Sequence, residues 1–214
     1  MISAETGLTV LLKYFPSLAA HQQMQFIDFA LNLQGWNKKI NLISRSDVEH
    51  LWERHILHSL SIAKIISFKT DTVVLDAGTG GGFPGVPLAI IFPEAEFILV
   101  DSVRKKINAV KEICNAVGLT NVQTINSRVE DAEVKCDFVV TRAIAALAEI
   151  YGWTKNKIQK ETFNALPNGI LCLKGGDLTD EIKKLKTKAT VYELNTFFNE
   201  EFFESKKIVF IAAA

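Results

Sequence analysis

One stretch, Val73-Val74-Leu75-Asp76-Ala77-Gly78-Thr79-Gly80-Gly81-Gly82-Phe83-Pro84-Gly85, limits the folds open to this chain more than any other. A β-branched and aliphatic run ends on an acid and breaks into glycines, which reads as a buried strand running into a ligand-holding loop. Five of the eight residues from Gly78 to Gly85 are glycine. Glycine costs backbone entropy on folding, so a loop this rich in it needs positive φ or close approach of its backbone to a bound group. Pro87 suits the first turn of a helix beginning Pro87-Leu88-Ala89-Ile90-Ile91. The order is strand, glycine loop, helix.

Two patterns fit the loop and imply different cofactors. Gly80-x-Gly82-x-x-Gly85 satisfies the dinucleotide fingerprint, in which backbone amides and a helix N-terminus hold a pyrophosphate. Asp76-x-Gly78-x-Gly80-x-Gly82 satisfies the pattern of S-adenosylmethionine-dependent methyltransferases, where the strand ends on the acid and the first glycine follows two residues later. Register favours the second, because a dinucleotide fold starts its fingerprint almost at once after the strand and Gly80 lies four residues beyond Asp76.

From Thr72 onward strands alternate with helices, which implies parallel strands joined by right-handed crossovers. Strand one is Val73–Asp76, followed by a short helix Pro87–Phe92 stopped at Pro93; strand two is Phe97–Asp101 and again ends on an acid. Asp101 lies 23 residues after Gly78, close to the ~20 residues at which nucleotide-binding folds place a carboxylate for ribose hydroxyls. The competing reading is an acid capping the helix that starts near Ser102. An amphipathic helix from Arg104 ends at Gly118, and strand three is Val122–Asn126. Ser127-Arg128-Val129-Glu130-Asp131 follows at its carboxyl end, beside the crevice shared with Gly78 and Asp101. Strand four, Cys136–Val140, ends in Thr141-Arg142-Ala143; Ala145–Gln159 is a helix; strand five, Ile170–Gly176, carries Lys174 at its carboxyl end. Asp177–Lys186 is an exposed charged helix, and Thr190–Phe198 and Ile208–Ile211 are two closing strands, antiparallel to each other.

Residues 1–67 read as helical. His21–Leu33 carries an apolar stripe and Gly35 suits its end, Ser46-Asp47 suits the start of the next helix, and His50–Ile66 continues it. Between them, Trp36 to Arg45 forms a polar, basic loop and the first candidate for a partner surface. His55 and His58 share a helix face and invite a metal reading, but metalloprotease spacing is absent and no cysteine is near. Surface histidines, or a histidine held by a polar neighbour, is the better account.

Composition sets the remaining bounds. Lys and Arg number 24, as do Asp and Glu, so the formal net charge is zero and broad non-specific attraction to nucleic acid is not expected, although a local basic face is compatible. Cys114, Cys136 and Cys172 are odd in number and set among apolar neighbours, so they read as small buried hydrophobes instead of a disulfide or zinc framework. No apolar run is long enough to suggest a membrane span. Residues 1–20 lack a basic start followed by an apolar block, so no secretory signal is expected and the cytoplasm is the expected compartment.

The run Asp76 to Leu88, with Val100-Asp101-Ser102, Ser127-Arg128-Val129-Glu130, Thr141-Arg142-Ala143 and Leu173-Lys174-Gly175, resembles the RsmG family, also called GidB. These are bacterial small-subunit ribosomal RNA guanine-N7 methyltransferases. Trp36-Asn37-x-x-x-Asn41-Leu42 and Arg54-His55-Ile56-Leu57 extend the resemblance over nearly the whole chain. It implies a doubly wound, Rossmann-like α/β sheet of the class I methyltransferase kind, mostly parallel with an antiparallel last strand. Residues 1–67 would form a helical, RNA-facing segment and residues 68–214 the S-adenosylmethionine-binding domain.

By the same resemblance Gly78, Gly80, Phe83 and Asp101 contact the methyl donor, Val129 and Glu130 bind its adenine end, and Arg142 closes the site. Asn41, His55, Arg128 and Lys174 face substrate or cofactor as positioning residues. The implied substrate is 16S ribosomal RNA or the small subunit, at the guanine of rRNA nucleotide 527, with no metal; a monomer is expected. Two positions depart from the family pattern. His58 stands where an acid is usual, and alanines replace a usually basic carboxyl end.

Methyl transfer from a sulfonium to guanine N7 is an in-line displacement on an unprotonated lone pair, so it needs no general base and the burden falls on proximity and orientation. Arg142 and Lys174 suit phosphate or the guanine O6 edge. The base is expected to be splayed from a single-stranded loop and stacked, with Phe83 and Trp36 as candidates, each equally open to ordinary packing. A basic patch from Lys38, Lys39, Arg45, Arg54 and Arg128, with Lys155 and Lys157, would hold RNA in a salt-dependent way. Three alternatives stay open: a methyltransferase acting on a small molecule or protein, an NAD-binding oxidoreductase, and a non-catalytic RNA-binding module.

Overall fold

A computed structural model describes residues 4–213. Seven strands form one sheet in the order β3-β2-β1-β4-β5-β7-β6, with β1 Val73–Ala77, β2 Glu96–Asp101, β3 Val122–Asn126, β4 Phe138–Arg142, β5 Gly169–Gly175, β6 Ala189–Glu193 and β7 Lys206–Ala212. The first five are parallel, and β7 runs antiparallel to both β5 and β6. The order reverses between β1 and β4. The crevice beyond the carboxyl ends of those two strands is where an open α/β sheet binds ligand.

Alternation along the strands assigns the faces. Val74 of β1 packs into the core that holds the N-terminal helices, α4 (Gly85–Ile91) and α5 (Arg104–Val117). Leu75 and Ala77 face the smaller core beneath α6 (Leu147–Thr154) and α7 (Thr179–Lys184). The three cysteines are free and buried, and burial pushes each thiol up to about 12.

Helices α1 (Ala4–Tyr14) and α2 (Ala20–Asn37) lead into a mixed segment: a 3-10 turn Arg45–His50, a π-helical stretch Leu51–Leu57, one α-turn α3 (His58–Leu60) and a 3-10 turn Ser61–Lys64. These residues share one core with α4 and α5. The two ends of the chain are clasped together. Lys13 Nζ and Tyr14 Oη both donate to the Glu200 carboxylate at 2.7 Å, Lys64 Nζ donates to Tyr14 O at 2.7 Å, and the Tyr14 ring meets Phe198 edge-on at 4.8 Å.

Several boundaries differ from the sequence reading. α2 runs through the exposed Gly35 to Asn37, because the stop comes from the Asn37 side chain: its Oδ1 accepts from Leu42 N at 2.8 Å and Ile43 N at 3.0 Å, folding the chain back. Ser44 is the cap of the next turn instead of Ser46-Asp47, its Oγ accepting from Asp47 N. α4 begins at Gly85, two residues before Pro87, because Asp76 Oδ2 accepts from Gly85 N at 2.8 Å and caps that end. α6 starts at Leu147, where Glu149 accepts from Ala146 N, and gives way to a 3-10 turn at Lys155. β6 stops at Glu193 where Leu194 turns inward and is buried.

Candidate active site

Three glycines of the loop after β1 have positive φ: Gly78 at 70°, Gly80 at 57° and Gly82 at 92°. At Gly78 an added Cβ would also lie 2.5 Å from Ile144 Cγ2, so this position demands glycine twice over. The loop is braced from beneath by Asp76, whose Oδ2 accepts from Thr79 Oγ1 at 2.7 Å as well as from Gly85 N. Burial pushes the Asp76 carboxyl up to about 7, and its Oδ1 has no partner among the described residues.

Asp101, at the end of β2, accepts from Gly80 N at 2.9 Å through Oδ2 and from Val103 N at 2.7 Å through Oδ1. Each oxygen therefore keeps a lone pair free toward the crevice. The capping role and the ligand role weighed for this acid are compatible. The turn after β3 joins the same edge, with Ser127 N bonded to Asp101 O at 3.2 Å and Asn126 Nδ2 to Asp101 O at 2.9 Å. In that turn Val129 is buried, whereas Glu130 and Arg128 are exposed and form a loose pair at 3.9 Å. The turn is clamped by Lys157, whose Nζ donates to the carbonyls of Glu130 and Ala132. Lys157 is thus a buried strut and not part of a basic surface.

A cleft of about 740 Å³ opens beyond the carboxyl ends of β4 and β5, lined by Arg54, His55, His58, Arg142, Lys174 and Lys206 among others. Arg142 sits at its centre. Its Nη1 donates to Arg54 O at 3.1 Å, its Nη2 to His55 Nδ1 at 2.8 Å, and its guanidinium lies 4.9 Å above the Phe83 ring. Burial lowers the Arg142 pKa to about 10, with Asp76 and Asp47 opposing, so the group stays charged at neutral pH. Burial and the adjacent Arg142 drive His55 down to about 3. A neutral His55 that accepts at Nδ1 carries its hydrogen on Nε2, which lies 3.7 Å from Asp47 Oδ2.

Lys174 Nζ donates to Ala145 O at 2.6 Å and Glu181 Oε2 at 2.9 Å, and Glu181 also accepts from Leu147 N at 2.9 Å. The charged helix α7 has no buried residue, as expected of an exposed helix, yet through Glu181 it holds the cleft wall. Ala143, at φ 53°, turns the chain out of β4 beside Ile144.

The structure brings Gly78, Gly80 and Asp101 together on one side of the switch point and His55, Phe83, Arg142 and Lys174 on the other. Asn41 and Arg128 lie apart from the cleft. Asn41 is exposed on a separate basic groove of about 810 Å³ with Lys38, Lys39, Arg45, Lys105 and Lys106. That groove is tied to the glycine loop through Leu42, whose Cβ lies 3.2 Å from the place of a Gly81 side chain.

The structure decides between two pairs of alternatives. Phe83 is 2% exposed and packed against Phe29 and His55, so its ring offers no open face for a base. His55 and His58 are buried, so the surface reading fails for both, while His55 is held by polar neighbours as the other reading had it, with Arg142 Nη2 2.8 Å from its Nδ1 and Asp47 Oδ2 3.7 Å from its Nε2. Sequence reasoning misses Asp47, Phe202, Lys206 and Glu181 as cleft residues. They come from segments distant in sequence and carry no motif of their own.

A family model described as GidB, rRNA small subunit methyltransferase G, matches residues 22–209. The ribosomal RNA small subunit methyltransferase G of Phocaeicola vulgatus is 48% identical over 204 residues, covering 95% of this chain and 98% of its own. That of Cytophaga hutchinsonii is 48% identical over 206 residues, 96% of this chain and 100% of its own. Among solved structures, an S-adenosylmethionine-dependent methyltransferase from Aquifex aeolicus matches with a TM-score of 0.59 at 15% identity, over 80% of this chain and 100% of that one, a likeness of fold. A glycine cradle at the switch point of a methyltransferase sheet, matched by relatives over nearly its whole length, places the chain in the GidB family of small-subunit ribosomal RNA methyltransferases.

Proposed function

We propose that the protein transfers the methyl group of S-adenosylmethionine to N7 of one guanine in 16S ribosomal RNA, by resemblance the guanine at nucleotide 527. The observation that carries this reading is the adjacency of two features across β1 and β4: a backbone cradle ending on the Asp101 carboxylate, and a cleft lined by the half-buried Arg142.

The cradle fits the donor. Positive-φ glycines leave Gly78 and Gly80 without side chains where an adenosyl amino acid needs room, Asp101 has lone pairs for a ribose diol, and the turn at Val129 and Glu130 suits the adenine end. The unpartnered Asp76 Oδ1 adds an acceptor beneath the loop. When bound, S-adenosylmethionine supplies an electrophilic methyl group on a sulfonium.

Methyl transfer to the unprotonated N7 lone pair would call for no proton transfer from the chain. The chain's part is to orient the base and exclude water. Arg142, pinned by His55 and the Arg54 carbonyl, holds positive charge near O6, and Lys174 stands behind it as a braced wall. Asn41, on the separate basic groove, and Arg128, in the exposed turn after β3, serve RNA. Residues 1–67 form the RNA-facing roof, with Trp36 beside Lys39 as its aromatic element. Charge at Lys38, Lys39 and Arg45 would hold phosphates there. The protein acts as a cytoplasmic monomer that needs no metal; no helix among the described residues is long and apolar enough to cross a membrane.

The test is incubation with radiolabelled S-adenosylmethionine and small-subunit RNA or intact subunits, with label mapped by cleavage at N7-methylguanine. Label at a single guanine is expected. Donor binding without label on either substrate would sink the assignment.

A further inference from the structure

The outer groove is assembled from two parts of the chain. The N-terminal segment supplies Lys38, Lys39 and Arg45, and the start of α5 supplies Lys105 and Lys106. None of these five cations forms an ion pair among the described residues, and Glu49 is the one carboxylate in the lining. In a chain whose charges balance at 24 against 24, this is a local excess of positive charge without an internal partner. Helix stability does not account for the α5 pair. Cations in the first turn oppose the helix dipole, and that turn contains no acid to offset them.

The groove is also apolar in part and lies beside the donor cradle. Ile40, Val48 and Val103 belong to its lining, and Val103 is 46% exposed. Val103 N donates to Asp101 Oδ1 at 2.7 Å, and Leu42, next to the groove's Asn41, lies against Gly81. A ligand in the groove therefore sits next to the residues that shape the cradle.

Charge, apolar surface and position together select the occupant. Five unpaired cations call for a polyanion, and beside the crevice of a ribosomal RNA methyltransferase that polyanion is RNA. A duplex keeps its base faces stacked inside and would leave the apolar lining uncovered. A single strand brings base faces and phosphates to the same groove.

We propose that the groove holds single-stranded small-subunit RNA flanking the methylated nucleotide, with Lys105 and Lys106 of the donor-binding domain gripping phosphates alongside the N-terminal segment. This places part of the RNA-facing surface outside residues 1–67. It rests on the ribosomal RNA reading, whichever atom of the base is methylated.

The experiment measures binding of the full chain to a single-stranded fragment of small-subunit RNA spanning the methylated position, and to the same fragment annealed to its complement, across about 50 to 200 mM salt. Lys105→Gln/Lys106→Gln should weaken single-strand binding by about 10- to 30-fold at about 0.1 M salt, and reduce the salt slope by about 1.4, at about 0.7 for each phosphate released. Binding to the duplex should change little. Lys111→Gln, exposed on α5 but outside the groove, is the charge control and should leave both RNA affinity and methyl transfer at wild-type values. Equal losses per charge in Lys111→Gln and the double variant would reduce the effect to bulk charge and overturn the proposal. Equal losses on single strand and duplex would overturn the single-strand assignment, and an unchanged double variant would give the groove to another partner, such as an acidic protein. If the double variant does not fold, Lys105→Gln alone decides: a slope reduced by about 0.7 supports the proposal and an unchanged slope overturns it. Absence of N7 label on RNA or subunits, with these binding differences intact, rejects the guanine-N7 function and leaves the groove assignment standing.

Discussion

The two sides of the crevice are built by different means. On the β1–β2–β3 side the polar groups that shape the site are tied by main-chain hydrogen bonds: Gly80 N to Asp101, Gly85 N to Asp76, Ser127 N to Asp101 O. On the β4–β5 side the surface is made of side chains brought from residues 47–58, 142–145, 173–181 and 202–206, and two of their buried polar atoms, Arg54 Nε and His58 Nε2, lack partners among the described residues. A backbone cradle suits a small molecule whose shape never varies. A cleft walled by side chains suits a substrate that must be chosen among similar ones, because side chains can be placed against the wrong choice.

Substitutions should separate the two sides. The largest effect is expected for Arg142→Ala, which removes the charge at the cleft's centre and frees His55: methyl transfer at saturating donor should fall about 10²–10³-fold, while donor affinity by calorimetry changes less than about tenfold. Equal losses in both would mean that the two sides are one site. Next, Asp101→Asn should raise the donor Kd by about 10- to 100-fold, the worth of hydrogen bonds to a charged acceptor. Its rate at saturating donor and its RNA affinity should stay near wild type.

A third test reads the buried groups through pH. His55, held at about 3, and His58, held well below 6.5, stay neutral when folded, so the unfolded chain binds more protons below pH 6.5 and acidification destabilises. Asp76, raised to about 7, works the other way, since the folded chain holds the extra proton down to the unfolded value of 3.8. Two histidines against one acid leave a net loss that is small at pH 6.5 and approaches about 1.4 kcal/mol per pH unit near pH 5. Urea midpoints across that window should fall with pH, and Asp76→Asn should about double the slope; a flat profile would mean the ring sites are hydrated. The smallest effect belongs to the outer groove. Replacing Lys38, Lys39 and Arg45 by Gln should reduce the salt dependence of RNA binding, the slope shrinking by about 0.7 for each phosphate no longer neutralised on a single strand, and leave donor binding untouched.

The same division explains what could be read from the sequence. The cradle was legible because its signal is contiguous: β3 lies at the predicted Val122–Asn126, α5 ends on Gly118 in the left-handed conformation, and Asp101 closes β2 within bonding distance of Gly80. The cleft was legible only where a strand end delivered a residue, as at Arg142 and Lys174. The apolar spacing of Leu51, Ile56, Leu57 and Leu60 fits an α-helix as well as the wider π-turn that forms, and that difference decides whether His55 and His58 face water or the sheet. Lys157 looks like surface charge in any local window; its burial depends on two carbonyls some 25 residues earlier. Gly35 suggested a helix end because composition cannot show that Asn37 makes the turn.

The clasp between Tyr14, Lys13 and Glu200, with Phe198 and Phe203 stacked behind it at 4.4 Å, has a consequence in the order of synthesis. Translation yields the cradle residues, Gly78 to Glu130, well before Phe202 and Lys206 exist. A nascent chain thus possesses the glycine cradle long before the outer wall of the cleft. Only when β7 pairs between β5 and β6 are the outer wall and the ring packing of His58 complete. In the order of synthesis, the cleft is therefore completed after the cradle it adjoins.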